Sequence, residues 1–128
     1  MGRILALTEE IEMIEEVEQL LQDEIQVEIA VHGDTLDFLE NLLERYTQLV
    51  ILDLDILREK VTKLIHIIRS IHKDCKIILI LSQEKMSICS TALSMGVFSY
   101  LIKPVAVLNA YNIILSALKK PVKNMAKG

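Results

Sequence analysis

Two short apolar runs constrain this chain more than any other feature. Leu49–Leu54 reads LVILDL and Lys76–Leu81 reads KIILIL. Neither alternates as a strand with one wet face does, so each reads as a strand buried on both sides. Such strands need helices above and below them, which implies a parallel sheet built by crossover connections. The rest of the chain supplies matching pieces. Arg3–Leu7 is a third apolar run, and Val97–Ile102 is a short further strand. Ile25, Val27, Ile29 and Val31 recur at a period of two, the pattern of a strand near a sheet edge.

Helical spacing fills the intervals. Ile11, Ile14, Val17, Leu20 and Leu21 predict a helix to about Gln22, capped by Thr8 and rich in glutamate at its start. Leu36, Leu39, Leu42 and Leu43 predict a second, opened by Asp34 or Thr35. After a loop at 55–59, Val61, Leu64, Ile65, Ile68 and Ile71 predict a third over 60–72. Helix 84–95 is less hydrophobic and is closed by Gly96; helix 107–119 carries Leu108, Tyr111, Ile114, Leu115 and Leu118. The order is β-α repeated five times. The fold class is therefore α/β, a doubly wound five-stranded parallel sheet, in one domain over 1–120 with 121–128 as a tail or the start of a linker.

Composition narrows the function classes. At 128 residues, 52% hydrophobic and a net charge of -4, the chain is one globular domain and not a disordered segment. No apolar run approaches the ~18 residues of a membrane span. With no secretory leader, and with Cys75 and Cys89 too few and too far apart for a disulfide framework or a C-x-x-C pair, a cytoplasmic location is expected. Residues 1–57 carry a formal charge of -13 and residues 58–128 carry +9. The C-terminal lysines lack interleaved aromatics, and an acidic domain repels phosphate backbones, so direct nucleic-acid binding is not expected. His66 and His72 are six apart on one helix and do not form a metal pair.

In open α/β sheets, ligand chemistry sits beyond the carboxyl ends of the strands. That rule selects Thr8 and Glu9, Asp53 and Asp55, Ser82, and Lys103. Asp53 is the most informative. A carboxylate inside a buried strand is costly unless paired, and Lys103 is a candidate partner. Two carboxylates with backbone carbonyls form a hard oxygen site suited to Mg²⁺. Acids, a hydroxyl and a lysine together suit a transferring phosphoryl group: cations neutralise it, the hydroxyl donates to it, and a carboxylate attacks.

Residues 4–118 resemble the receiver domain of two-component response regulators. The resemblance rests on ILALTEE, LVILDLD, IILILSQ and, above all, ALSMGVFSYLIKPV, with Gly96, Tyr100 and the Lys103-Pro104 dipeptide. It implies the flavodoxin-like strand order 2-1-3-4-5. It implies Asp53 as phosphoacceptor, with Mg²⁺ held by Glu9, Asp53 and the backbone carbonyl of Asp55. Ser82 takes the switch hydroxyl position, Tyr100 the aromatic switch position and Lys103 the phosphoryl-contacting position, and Pro104 follows a cis peptide bond. It also implies a partner histidine kinase or phosphotransfer protein, with a homodimer through the last helices as one possibility. On this reading the chain is no conventional enzyme; it assists at most its own phosphorylation and dephosphorylation.

The departures bear on that expectation. The family has two adjacent acids after the first strand, where this chain has Thr8-Glu9, and Glu10 is expected to point along its helix. The family's Met-Pro and later Gly are replaced by Ile56, Leu57 and Val61. Fewer carboxylates predict weaker Mg²⁺ binding. A phosphorylation-independent pseudo-receiver, acting as a protein-binding module, is the alternative. Bland roles stand beside the sharp ones: Asp53 as a paired structural acid, Ser82 as a strand-end cap, Glu9 as a helix-end acid and Tyr100 as packing.

Overall fold

The computed structural model describes residues 2–119. The strands are β1 (Gly2–Leu7), β2 (Val27–His32), β3 (Leu49–Asp53), β4 (Lys76–Leu81) and β5 (Ser99–Ile102). They pair in parallel in the order β2-β1-β3-β4-β5. The helices are α1 (Ile11–Leu21), α2 (Thr35–Glu44), a single turn α3 (Leu54–Leu57), α4 (Val61–Ile71), α5 (Met86–Leu93) and α6 (Val107–Lys119). Short 3-10 turns at Arg58–Lys60 and Gln83–Lys85 precede α4 and α5. The tail expected at 121–128 lies outside the described residues.

The apolar runs are buried on both sides because alternate residues serve different layers. Leu5, Leu7, Val50, Leu52, Ile77, Leu79 and Leu81 pack with Phe38 and Leu42 of α2, Val61, Leu64, Ile65 and Ile68 of α4, and Cys89 and Ala92 of α5. Ile4, Ala6, Ile51, Ile78, Ile80 and Leu101 face the other way, onto α1 and α6. β2, the strand with the period-two pattern, is a sheet edge.

Several local expectations shift. Residues 55–59 are not a loop; the chain turns directly from β3 into α3. On α2 the buried residues are Phe38 and Leu42, whereas Leu36 and Leu43 are exposed. Asp34 caps that helix by accepting a hydrogen bond from the Asp37 N–H at 3.1 Å. Thr8 is not the N-cap of α1: Glu10 holds that position, and the Thr8 hydroxyl accepts the Glu10 N–H just ahead of the helix. Gly96 closes the α5 segment at φ +84, a backbone region that suits glycine. No helix among the described residues is long and apolar enough to cross a membrane.

Sheet register positions the site. Leu52 lies between Leu7 and Leu79, and Leu79 lies beside Tyr100. The residues just past these pairs therefore emerge side by side at one edge of the sheet: Thr8, Asp53, Ser82 and Lys103.

Candidate functional site

Asp53 ends β3 and is 1% exposed. Every charge-bearing oxygen on it is engaged. Oδ2 accepts the Thr8 hydroxyl at 2.8 Å and faces the Lys103 ammonium at 3.0 Å. Oδ1 accepts the Asp55 backbone N–H at 3.0 Å. Burial of this carboxylate is tolerated because the hydroxyl, the ammonium and the backbone N–H replace its water. Thr8 serves twice, since its oxygen also accepts the Glu10 N–H at 3.0 Å.

Asp55, one residue into α3, gathers the other donors. Its Oδ1 accepts the Ser82 hydroxyl at 2.9 Å, and its Oδ2 pairs with Lys103 Nζ at 2.8 Å. Lys85 Nζ stands 3.8 Å from Oδ1. The hydrogen bond from Lys103 holds the Asp55 carboxyl below its usual range, with further help from the Ser82 hydroxyl and the charges of Lys103 and Lys85, and against partial burial. Burial alone would lower the Lys103 pKa, but hydrogen bonds and charge from Asp55 and Asp53 outweigh it and raise the value. Both shifts favour the charged forms.

The structure thus brings Asp53, Ser82 and Lys103 into one cluster. Glu9, the acid expected beside Mg²⁺, is exposed at the rim, and it is Glu10 that reaches the cluster. Glu10 does not simply run along the helix: its Oε2 lies 3.7 Å from Lys103 Nζ. Tyr100 is 36% exposed on β5, and the Lys103-Pro104 bond is cis. Sequence reasoning gave Asp55 only a backbone carbonyl and missed Lys85. A basic residue three positions past Ser82 at a helix start was the available signal for the latter.

For Mg²⁺ the donors fit in kind and fall short in number. Among the described residues no three His, Cys, Asp or Glu side chains are grouped to hold a metal ion. Asp53, Asp55 and Glu10 all lie within 3.7 Å of one ammonium nitrogen instead. Mg²⁺ is commonly held by only one or two carboxylates, with waters and phosphate oxygens completing its shell, and Asp53 with Glu10 meets that smaller requirement.

Fold and strand-end cluster together define a doubly wound α/β domain with an acidic pocket at the carboxyl edge of its sheet. Residues 4–114 match the response regulator receiver domain, and the chain belongs to that family. Solved structures share the fold. The N-terminal signal receiver domain of a two-component response regulator from Bacteroides fragilis has a TM-score of 0.77 at 16% identity, over 94% of this chain and 99% of that one. A response regulator receiver domain protein from Clostridium thermocellum has a TM-score of 0.68 at 23% identity, over 92% and 94%. NtrX from Brucella abortus, in complex with ADP, has a TM-score of 0.75 at 22% identity, over 93% of this chain and 26% of that one. No curated protein matches the chain.

Proposed function

We propose that this receiver domain is a phosphoacceptor that signals through its surface, with Asp53 as the acceptor. The supporting observation is the buried Asp53 carboxylate with the Lys103 ammonium 3.0 Å from its Oδ2. A carboxylate oxygen of Asp53 attacks the phosphorus of a phosphohistidine on a histidine kinase or phosphotransfer protein. The new O–P bond forms as the N–P bond breaks, and the imidazole leaves. Lys103 neutralises charge on the added group, and Ser82 donates to one of its oxygens. Mg²⁺ would be held by Asp53, Glu10 and the Asp55 carbonyl, and when bound supplies further neutralisation of phosphoryl charge. The chain is a substrate of this transfer, not a conventional enzyme.

The output is a population shift. When Ser82 and Lys103 turn to the phosphoryl group, the surface of α5, β5 and α6 changes with them. Tyr100, Leu93 and Leu108 are exposed there and offer apolar contact to a partner or a second copy.

Incubation with a small-molecule phosphodonor and Mg²⁺, followed by intact mass spectrometry under mild acid, tests the reading. The expected result is one phosphoryl adduct on the wild type and none on Asp53→Asn. An unmodified wild type would overturn it. That outcome would leave the pseudo-receiver, a binding module that needs no phosphoryl group. One observation favours this second reading: Ser82 and Lys103 already have an anion to bind.

A further inference from the structure

That anion is the side chain of Asp55. We infer that the Asp55 carboxylate is a built-in stand-in for the phosphoryl group, holding Ser82 and Lys103 as a phosphorylated Asp53 would. The inference rests on the proposed function in one respect, the assignment of Ser82 and Lys103 as the donors that meet a phosphoryl oxygen.

Three features carry it. The first is that the donors coincide. Ser82 Oγ and Lys103 Nζ lie 2.9 and 2.8 Å from the two Asp55 oxygens, and the same Nζ is 3.0 Å from Asp53 Oδ2. A phosphoryl group on Asp53 would call on that hydroxyl and that ammonium. The second is reach. Asp55 sits on α3, Ser82 just past the end of β4 and Lys103 just past the end of β5, so one carboxylate ties together the ends of three elements. The third is charge. Lys85 adds a second cation 3.8 Å from Asp55 Oδ1, so the carboxylate sits between two ammonium groups, as a multiply charged phosphoryl group requires. An ion pair kept only for stability needs neither the hydroxyl nor the second lysine.

Two consequences follow. Resting Ser82 and Lys103 already feel the pull of an anion, so the end of β5 is held near its switched position before any phosphorylation. An incoming phosphoryl group must displace Asp55 from both donors. Partial exposure of the Asp55 and Lys103 side chains discounts a charge-assisted hydrogen bond, so the competition is worth about tenfold in rate, the equivalent of ~1.4 kcal/mol.

Asp55→Asn keeps the shape and removes the charge. Two readouts are taken on the 128-residue chain: backbone amide shifts of Tyr100 and Leu101 without phosphodonor, and the rate of phosphodonor labelling by intact mass. These amides lie across β4 from residue 55, so they report the Lys103 tether and not the local substitution. The expected result is a displacement of both amides in Asp55→Asn, repeated in Asp55→Ala, with labelling about tenfold faster than wild type. Wild-type shifts at Tyr100 and Leu101 in both folded variants would overturn the inference. So would displaced shifts without faster labelling in a chain that labels. If neither wild type nor variant labels, the phosphoacceptor reading fails, and the amide shifts alone then decide whether Asp55 holds the strand ends.

Discussion

Thr8 shows how one side chain replaces two kinds of interaction at once. The family places an acid here, and in this chain a neutral hydroxyl donates to Asp53 Oδ2 and accepts from the Glu10 N–H. A donor to a buried carboxylate is worth about 1.5–3 kcal/mol. Thr8→Val, which keeps the shape, is therefore expected to lower unfolding free energy by about 2 kcal/mol in urea titrations. Thr8→Asp sets a second carboxylate against Asp53. It should destabilise the metal-free chain more than valine does, and Mg²⁺ should restore that loss in proportion to its concentration over Kd. Equal stability of wild type and Thr8→Val, or no Mg²⁺ response in Thr8→Asp, would contradict this account. Asp53, Ser82 and Lys103 were legible in the sequence because a polar residue ending an apolar strand is conspicuous. The pairing of Thr8 with Asp53 was not: a threonine after a strand also reads as a helix cap, and only sheet register separates the two.

Among the elements, the passage from β3 to α4 departs furthest from the periodic pattern. The sequence suggested a loop at 55–59, because Leu54, Ile56 and Leu57 are too few to show a period. In the structure these residues form the turn α3, with Leu54 and Leu57 buried in the core. That turn aims the Asp55 side chain at Ser82 and Lys103. Its exit is strained: Arg58, exposed, has φ 54 and ψ -133. Non-glycine residues held in such regions carry about 1–3 kcal/mol of strain, and glycine adds back about 0.5–1 kcal/mol of unfolded-state freedom. Arg58→Gly is therefore expected to stabilise the chain by about 1 kcal/mol in urea titration. A loss of stability would mean that the Arg58 side chain contributes more than its backbone costs. The long helices α1, α4 and α6 were legible because several turns repeat the same spacing. Their ends, and the exposed Leu36 and Leu43 of α2, were not, because helical spacing cannot say how wide the buried stripe is.

For the molecule as a whole, topology turns the charge division of the chain into a division in space. β2, β1 and α2, from the acidic half, lie toward one end of the sheet, and β4, β5 and α5, from the basic half, toward the other. Asp53 and Asp55 meet Lys85 and Lys103 where these halves join. That junction makes stability depend on pH with a sign fixed by each shift. The Asp55 pKa is lowered, so its contribution is present above its ordinary value of 3.8 and is lost as pH falls through the lowered one. The Lys103 pKa is raised, so its contribution is intact below 10.5 and is lost as pH rises through the raised value. A second alkaline loss starts earlier. Cys75 is buried at the start of β4, and burial pushes its thiol up to about 12 from 9.0. Between those values the unfolded thiol releases its proton and the folded one keeps it, so stability falls by up to about 1.4 kcal/mol per pH unit. Urea midpoints measured from pH 8 to 10.5 should therefore fall steadily above pH 9 in the wild type. Cys75→Ala should start less stable, from the small cavity it leaves, and decline less steeply over the same range. Parallel slopes would show that the thiol titrates alike in both states and would overturn the assignment of the alkaline loss to Cys75.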